Sequence, residues 1–232
     1  MNHYYSEHLK QLIALDCIIF GFDNEELKLL ILKRTFEPAK GEWSLMGGFL
    51  RQNESLDEAA QRILFQLTGL SNVFMEQLYS FGEVERDPGE RVISIAYYAL
   101  LKIKDYDKDL VKKNGAHWCP LAEIPDLIFD HNVMMKRALK RLRRKAKIQP
   151  IGFELLPKKF TLPQLQSLYE AIYHKKIDKR NFRKKILSMD LLEKLEEKDK
   201  ESSKKGAFLY KFNKTKYNKL VSKGFYFNLD VS

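Results

Sequence analysis

From Gln11 to Phe22 the chain reads Gln-Leu-Ile-Ala-Leu-Asp-Cys-Ile-Ile-Phe-Gly-Phe, a run of β-formers that predicts a strand. Asp23-Asn24-Glu25 is a turn, and Leu27 to Lys33 is the returning strand of a hairpin. Trp43 to Phe49 predicts a short strand flanked by glycines. Leu56, Ala60, Ile63, Leu64 and Leu67 then recur at helical spacing as the buried stripe of an amphipathic helix. Ser55 with Glu58 three residues later reads as a capping box, and Gly69 stands where a left-handed cap is wanted. Leu78 to Glu85 and Val92 to Lys102 predict two further strands, joined by Arg86-Asp87-Pro88-Gly89-Glu90-Arg91. Ala116 to Pro120 is another strand, and Leu121 to Phe129 begins a helical tail.

The second half of the chain is patterned for helices. Residues 133–147 carry eight Lys+Arg and no acid, with Met135, Ala138, Leu139, Leu142 and Ala146 as one apolar stripe. Gln149-Pro150 ends that helix and sets the domain boundary. Thr161 with Gln164 is a second capping box, and Phe160 with Leu165 occupies the hydrophobic-staple positions. A helix follows over 162–173, then a tight turn, His174-Lys175-Lys176-Ile177, with Asp178 as the next cap. The second helix, Lys179 to Met189, places Phe182, Ile186 and Met189 on one face and Arg180, Asn181, Lys184 and Ser188 on the other. Lys179, Arg183 and Lys185 fall on its flanks. Helix, turn and basic helix make a helix-turn-helix. Leu191 to Leu195 and Ala207 to Phe212 are strands of a wing, joined by a connection ending in Ser-Ser-Lys-Lys-Gly, where Lys204 and Lys205 suit phosphates.

Charge sharpens this division. Residues 1–131 hold 14 Lys+Arg and 21 Asp+Glu, a net of −7; residues 132–232 hold 27 and 10, a net of +17. So lopsided a chain is expected to meet a polyanion with its second half. The 232 residues suffice for two ordinary domains, and no apolar run reaches the roughly 18 residues of a membrane span. The first residues lack the plan of a signal peptide, and the two cysteines, Cys17 and Cys119, stand in no ligand spacing. A reduced cytoplasm is expected, with both thiols in the core.

The stretch from Gly41 to Leu70 organises the rest. Gly48, Glu54, Arg62 and Gly69 stand at spacings that resemble the Nudix box of hydrolases of substituted nucleoside diphosphates. The resemblance is to a degenerate box: the family pattern asks for glutamates where Ile63, Gln66 and Leu67 stand. Magnesium is held by carboxylate oxygens and water, and without them there is no activated water. The reading is therefore a non-enzyme without metal or cofactor, in which Glu54 and Arg62 brace the loop against the helix. The order of hairpin, strand, helix, strand pair, strand and helix is that of a Nudix α/β/α sandwich.

Together with the basic winged helix, the whole chain resembles the bacterial Nudix-related transcriptional regulators, an α+β plan. Residues 1–150 would bind the effector and dimerise, with 133–147 as a linking helix; residues 151–232 would be the DNA-binding winged helix-turn-helix domain. The resemblance implies a homodimer on double-stranded palindromic operator DNA, with no membrane partner. Arg180, Asn181 and Lys184 would face base edges; Lys179, Arg183, Lys185, Lys204 and Lys205 would hold phosphates. One branch of the group responds to ADP-ribose and the other to L-arabinose, and the lost carboxylates favour the arabinose branch, a repressor of sugar-utilisation genes. Lys33, Glu37, Trp43, Arg86, Asp87 and Arg91, beside the box strand or in the long loop, are the candidates for effector binding. Two alternatives stand beside this reading. One is a regulator sensing ADP-ribose; the other is an active hydrolase with a shifted metal site at Glu54, Glu58 and Glu83. An RNA-binding module is disfavoured, since sequence-specific RNA reading stacks bases on aromatics.

Overall fold

The computed structural model describes residues 7–23, 25–200 and 206–229. The chain forms two compact units, one of Met1–Gly21 with Lys28–Ala138, the other of Phe22–Leu27 with Leu139–Ser232. Both combine antiparallel strands with helices, as the α+β expectation requires.

The first elements in order are β1 (Leu12–Asp23), β2 (Glu26–Lys33), β3 (Trp43–Ser44), β4 (Met46–Phe49), α1 (Leu56–Thr68), β5 (Glu76–Phe81), β6 (Val92–Lys102), α2 (Lys108–Lys113) and β7 (Ala116–Pro120). They build one seven-stranded sheet with the spine β3-β2-β1-β6-β5; β4 pairs with β1 and β7 with β2. In the β1–β4 pairing Asp16 stands opposite Gly47, which brings a charged residue of a buried strand against the glycine-rich stretch. α1 carries both halves of its capping box, and Gly69 takes φ 75° in the left-handed cap. Ala60, Ile63 and Leu64 bury against Leu15, Cys17, Ile19 and Met46, while Leu56 and Leu67 close the edges of this core.

The structure corrects several boundaries. The strand expected from Trp43 to Phe49 is broken at Leu45, whose N–H is drawn to the His131 ring instead of a neighbouring strand. β5 runs Glu76–Phe81, not 78–85, because Gly82 opens an exposed loop. No helix forms over 121–129. There residues 121–123 turn, Leu127 makes a single bridge to Trp43 and the Ile128 N–H donates to the Trp43 carbonyl, so the segment is pinned to the sheet edge at one point. α2 was not expected; its cap is Asp107, whose side chain accepts two backbone N–H groups. Cys17 is buried, and burial pushes its thiol pKa up, which leaves it unreactive. Cys119 is only half-buried, short of the core site expected of it.

α3 spans His131–Ile148 and belongs to the first unit up to Ala138 and to the second from Leu139. Its buried apolar residues are Met134, Ala138, Leu142 and Ala146, three steps of i to i+4 on a single ridge. The expected Met135 and Leu139 are half-buried, each one residue, or about 100°, off that ridge.

The second unit continues with β8 (Phe160–Thr161), α4 (Leu162–Tyr173), α5 (Lys179–Ser188), β9 (Leu192–Asp199), β10 (Ala207–Phe212) and α6 (Lys214–Val221). The three strands form a sheet in the order β8-β10-β9. Thr161 and Gln164 close the expected capping box, with Pro163 in the first turn of α4. Leu165, Leu168, Tyr169 and Ile172 are buried with Phe182 and Ile186 in a core that is apolar except for the Tyr169 hydroxyl; the Tyr169 and Phe182 ring centres lie 5.9 Å apart. β9 extends to Asp199, so the wing connection is shorter than the expected 196–206. Lys204 and Lys205 lie outside the described residues. β8 and α6 were not anticipated.

Candidate functional site

A cavity of about 180 Å³ opens beside the glycine-rich stretch, between β1, β2, the β4 backbone and the loop that carries Arg86. Its floor is a buried ionic cluster. Arg86 donates from Nε to Asp130 Oδ2 at 2.9 Å and from Nη2 to Asp130 Oδ1 at 2.7 Å. The same Nη2 lies 3.7 Å from Asp16 Oδ2, which accepts the Ser94 hydroxyl at 2.5 Å. His131 Nε2 stands 3.5 Å from the other Asp16 oxygen. Gly47 completes the floor: a Cβ there would stand 2.5 Å from Asp16 Oδ1, so only glycine fits.

His131 has a defined tautomer. The Leu45 N–H donates to Nδ1 at 3.1 Å, so the ring proton sits on Nε2, facing Asp16. Protonating Nδ1 would oppose two N–H groups. Burial is the larger influence on this ring and lowers its pKa below 6.5, against the pull of Asp16 and Asp130. The folded state therefore binds the proton less readily than the unfolded chain. Stability is complete above about pH 6.5 and declines as pH falls through that value toward the lower folded pKa. Thermal unfolding midpoints between pH 8 and 5.5 should fall more steeply for the parent than for His131→Gln. Equal slopes would place the acid-sensitive group elsewhere.

The walls are cationic and aromatic. Arg34 lies 3.9 Å over the Phe36 ring and 5.6 Å from the Phe129 ring centre, and its Nε donates to the Phe36 carbonyl. Partial burial lowers its pKa, while Asp87, Asp16 and Glu37 hold it up. Lys33 at the rim lies 5.2 Å over Trp43.

Of the six effector candidates, Lys33, Arg86 and Asp87 line the cavity. Glu37 is exposed beside it. Trp43 stacks edge-on against His117, and the alternating strand turns Ser44 to the cavity in its place. Arg91 braces the 82–91 loop through the Glu83 carbonyl at 3.0 Å. Sequence reasoning missed Asp16, Arg34, Phe36, Ser94, Phe129, Asp130 and His131. One signal was present: Asp16 is the only charge in the run 11–22, and a charge in a buried strand demands partners.

In the box, Glu54 accepts from Arg62 Nη2 at 2.5 Å and from Nε at 2.7 Å, and Arg62 also donates to the Phe49 carbonyl. The Arg62 hydrogen bond holds the Glu54 carboxyl down to about 2. Ile63 packs on Gly48, Gln66 accepts from Arg62, and Leu67 lines the cavity. Glu58 is spent on Ser55, whose backbone N–H donates to it at 2.8 Å. Among the described residues no three His, Cys, Asp or Glu side chains gather as metal ligands.

In the second unit, Gln166 and Glu170 pin the turn between the helices. Gln166 Nε2 donates to the Ile177 carbonyl at 3.0 Å, and the Ile177 N–H donates to Glu170 Oε1 at 3.0 Å. His174 takes the left-handed turn at φ 53°. Asp178 caps α5 by accepting the Asn181 N–H. Lys179, Arg180, Asn181, Arg183 and Lys184 are exposed, and Lys185 is half-buried. The described wing is less basic than expected. β9 holds Glu193, Glu196, Glu197 and Asp199 against Lys194 and Lys198, and both lysines lie over the Phe208 ring.

Residues 10–142 match the NUDIX domain family, and residues 152–212 match the NrtR DNA-binding winged helix domain. The chain is 32% identical over 211 residues to the ADPR responsive transcriptional repressor NtrR of Acinetobacter baylyi, covering 89% of this chain and 84% of that one. It also resembles Shewanella oneidensis NrtR solved with a 27mer DNA, at 29% identity and TM-score 0.75, over 94% of this chain and 99% of that one. The NUDIX domain of the same protein, solved with ADP ribose, matches at 29% identity and TM-score 0.53, over 61% of this chain and 94% of that one. The ADP-ribose pyrophosphatase of Methanocaldococcus jannaschii is 32% identical over 137 residues, 57% of this chain and 75% of that enzyme. Among the described residues no helix is long and apolar enough to cross a membrane.

Proposed function

The chain belongs to the Nudix-related transcriptional regulators with an NrtR-type winged helix, and from that premise we propose that it is a cytoplasmic, homodimeric repressor that binds operator DNA and senses a nucleoside diphosphate of the ADP-ribose type without hydrolysing it. The cavity carries this reading. Lys33 and Arg34 suit a diphosphate, and Phe36 and Phe129 supply aromatic faces for a base. A neutral pentose needs neither cation, and the relatives above are described by ADP-ribose. The pentose expectation therefore gives way to its alternative.

Non-hydrolysis rests on positions 63, 66 and 67, and on the engagement of Glu54 and Glu58 with Arg62 and Ser55. In this reading protein cations neutralise the diphosphate where a hydrolase would use magnesium. Calorimetric titration with ADP-ribose should give the same affinity in EDTA as in excess Mg²⁺, with no AMP or ribose phosphate released, and no saturable heat with L-arabinose. Mg²⁺-dependent turnover would sink the reading in favour of a hydrolase. Saturable arabinose binding without ADP-ribose binding would restore the sugar sensor.

On the DNA side, residues 151–232 act as the binding domain. Arg180, Asn181 and Lys184 face base edges; Lys179, Arg183, Lys185, Lys204 and Lys205 hold phosphates. His131 lines the cavity and Asp130 holds its Arg86; the two stand at the start of α3 and immediately before it, and the chain of α3 continues past Leu139. An effector that binds two states of this region unequally shifts DNA affinity by the ratio of its two affinities.

A further inference from the structure

The described segment 206–229, from β10 through α6, contains five lysines and no acid. α6 lies beyond the 152–212 stretch matched by the winged helix family. An eight-residue helix is marginal alone, and lysines in its first turn oppose the helix dipole. It is held by other means. The Asn213 side chain accepts the Lys216 N–H at 2.8 Å, and the Asn213 N–H donates to the Leu191 carbonyl. Lys216 pairs with Asp190, two residues past the end of α5, and Tyr217 packs on Phe212. Beyond the helix, Phe227 and Leu229 are buried. The half-buried side is Lys216, Tyr217 and Leu220; the outward face presents Lys214, Thr215, Asn218, Lys219 and Ser222, all exposed, with exposed Lys223 following. Lys214, Lys219 and Lys223 form no ion pair among the described residues.

We propose that this face is a second DNA-backbone contact, in which Lys214, Lys219 and Lys223 hold phosphates beside the C-terminal end of α5. The inference rests on the DNA-binding reading above. Ordinary solvated surfaces mix both signs, whereas this one joins exposed lysines to hydroxyl and amide side chains, the groups that bind phosphate oxygens. Its place fits as well. The first residues of a recognition helix read base edges, and its C-terminal end runs on toward the backbone; Asp190 and α6 follow that end of α5. The Lys216–Asp190 pair fixes α6 at that end.

The test is the salt dependence of binding to a mixed-sequence DNA duplex of about two to three helical turns, for the full chain and for Lys214→Ala/Lys219→Ala/Lys223→Ala. A control, Lys40→Ala/Lys112→Ala/Lys113→Ala, removes the same charge from exposed positions of the first unit. Each phosphate contact contributes about 0.9 to the slope of log K against log salt. The α6 variant should bind with a slope shallower by about 2 to 3, with its melting temperature unchanged and the control like the parent. An unchanged slope in the α6 variant overturns the proposal, as does an equal change in the control, which would be a bulk-charge effect. A change seen with an RNA duplex and absent with DNA also overturns it. If the parent binds no duplex DNA, the regulator reading itself fails, an outcome separate from the others.

Discussion

Arg86→Met is expected to cost about 3–5 kcal/mol of stability, the loss typical when one partner is taken from a buried ion cluster. The Arg86 side chain is 3% exposed and stands between Asp16 at 6% and Asp130 at 19%; its fork meets Asp130 at 2.7 and 2.9 Å. Methionine fills similar volume, so little of the loss comes from a void. What remains is two carboxylates without their cation, in a region where water cannot replace it. Urea unfolding should show the midpoint of the first unit's transition displaced. Adding Asp130→Asn should return part of the loss, because it removes one stranded charge. Arg86→Lys should rescue poorly, since an ammonium cannot make the two parallel bonds to Asp130. A change within about 0.5 kcal/mol for Arg86→Met would mean that solvent reaches the cluster and that it holds nothing together. The same substitution should weaken effector binding, because Arg86 lines the cavity.

What could be read from the sequence was what lies close along the chain. Ser55 with Glu58, Thr161 with Gln164, and Asp178 before α5 are caps whose partners stand three residues away, and each forms as read. β6 begins and ends at the expected Val92 and Lys102, because polar loop chemistry bounds a run that is apolar apart from Ser94. The ionic cluster was out of reach for the opposite reason. Its members lie at 16, 86, 94, 130 and 131, and nothing local pairs them. Only the β1–β4 register and the fold of the 82–91 loop bring them together. Segment 121–129 forms no helix for the same reason: what pins it is the distant Trp43 carbonyl. On α3, Ala138, Leu142 and Ala146 are buried as the stripe requires, while Met134 and not Met135 completes the ridge, a choice that packing alone makes between two equally apolar neighbours. The box was legible as architecture because Glu54, Arg62 and Gly69 act within one loop and one helix. The cavity behind it draws on β1, β2 and residues as far on as 131, and of its lining Lys33, Arg86 and Asp87 are the residues the sequence offers as effector contacts.

Arg180→Ala/Asn181→Ala/Lys184→Ala is expected to abolish operator discrimination while leaving non-specific DNA binding largely in place. The three side chains are exposed on the face of α5 opposite Phe182 and Ile186, so the fold should keep its melting temperature. Each base contact is worth about 1–3 kcal/mol, so three together account for roughly 10²-fold to more than 10⁶-fold in preference for the operator over random duplex. A selection from random duplexes with the parent protein would supply the operator. The variant should then bind it no better than random sequence. Lys179→Ala/Arg183→Ala should behave differently, weakening both duplexes alike and making the salt slope shallower by about 2. The contrast tests the division of labour on this helix. If the first variant kept its preference for the operator, base reading would have to come from elsewhere in the second unit. If the second variant changed the preference and left the salt slope alone, the assignment of flank and face on α5 would be reversed.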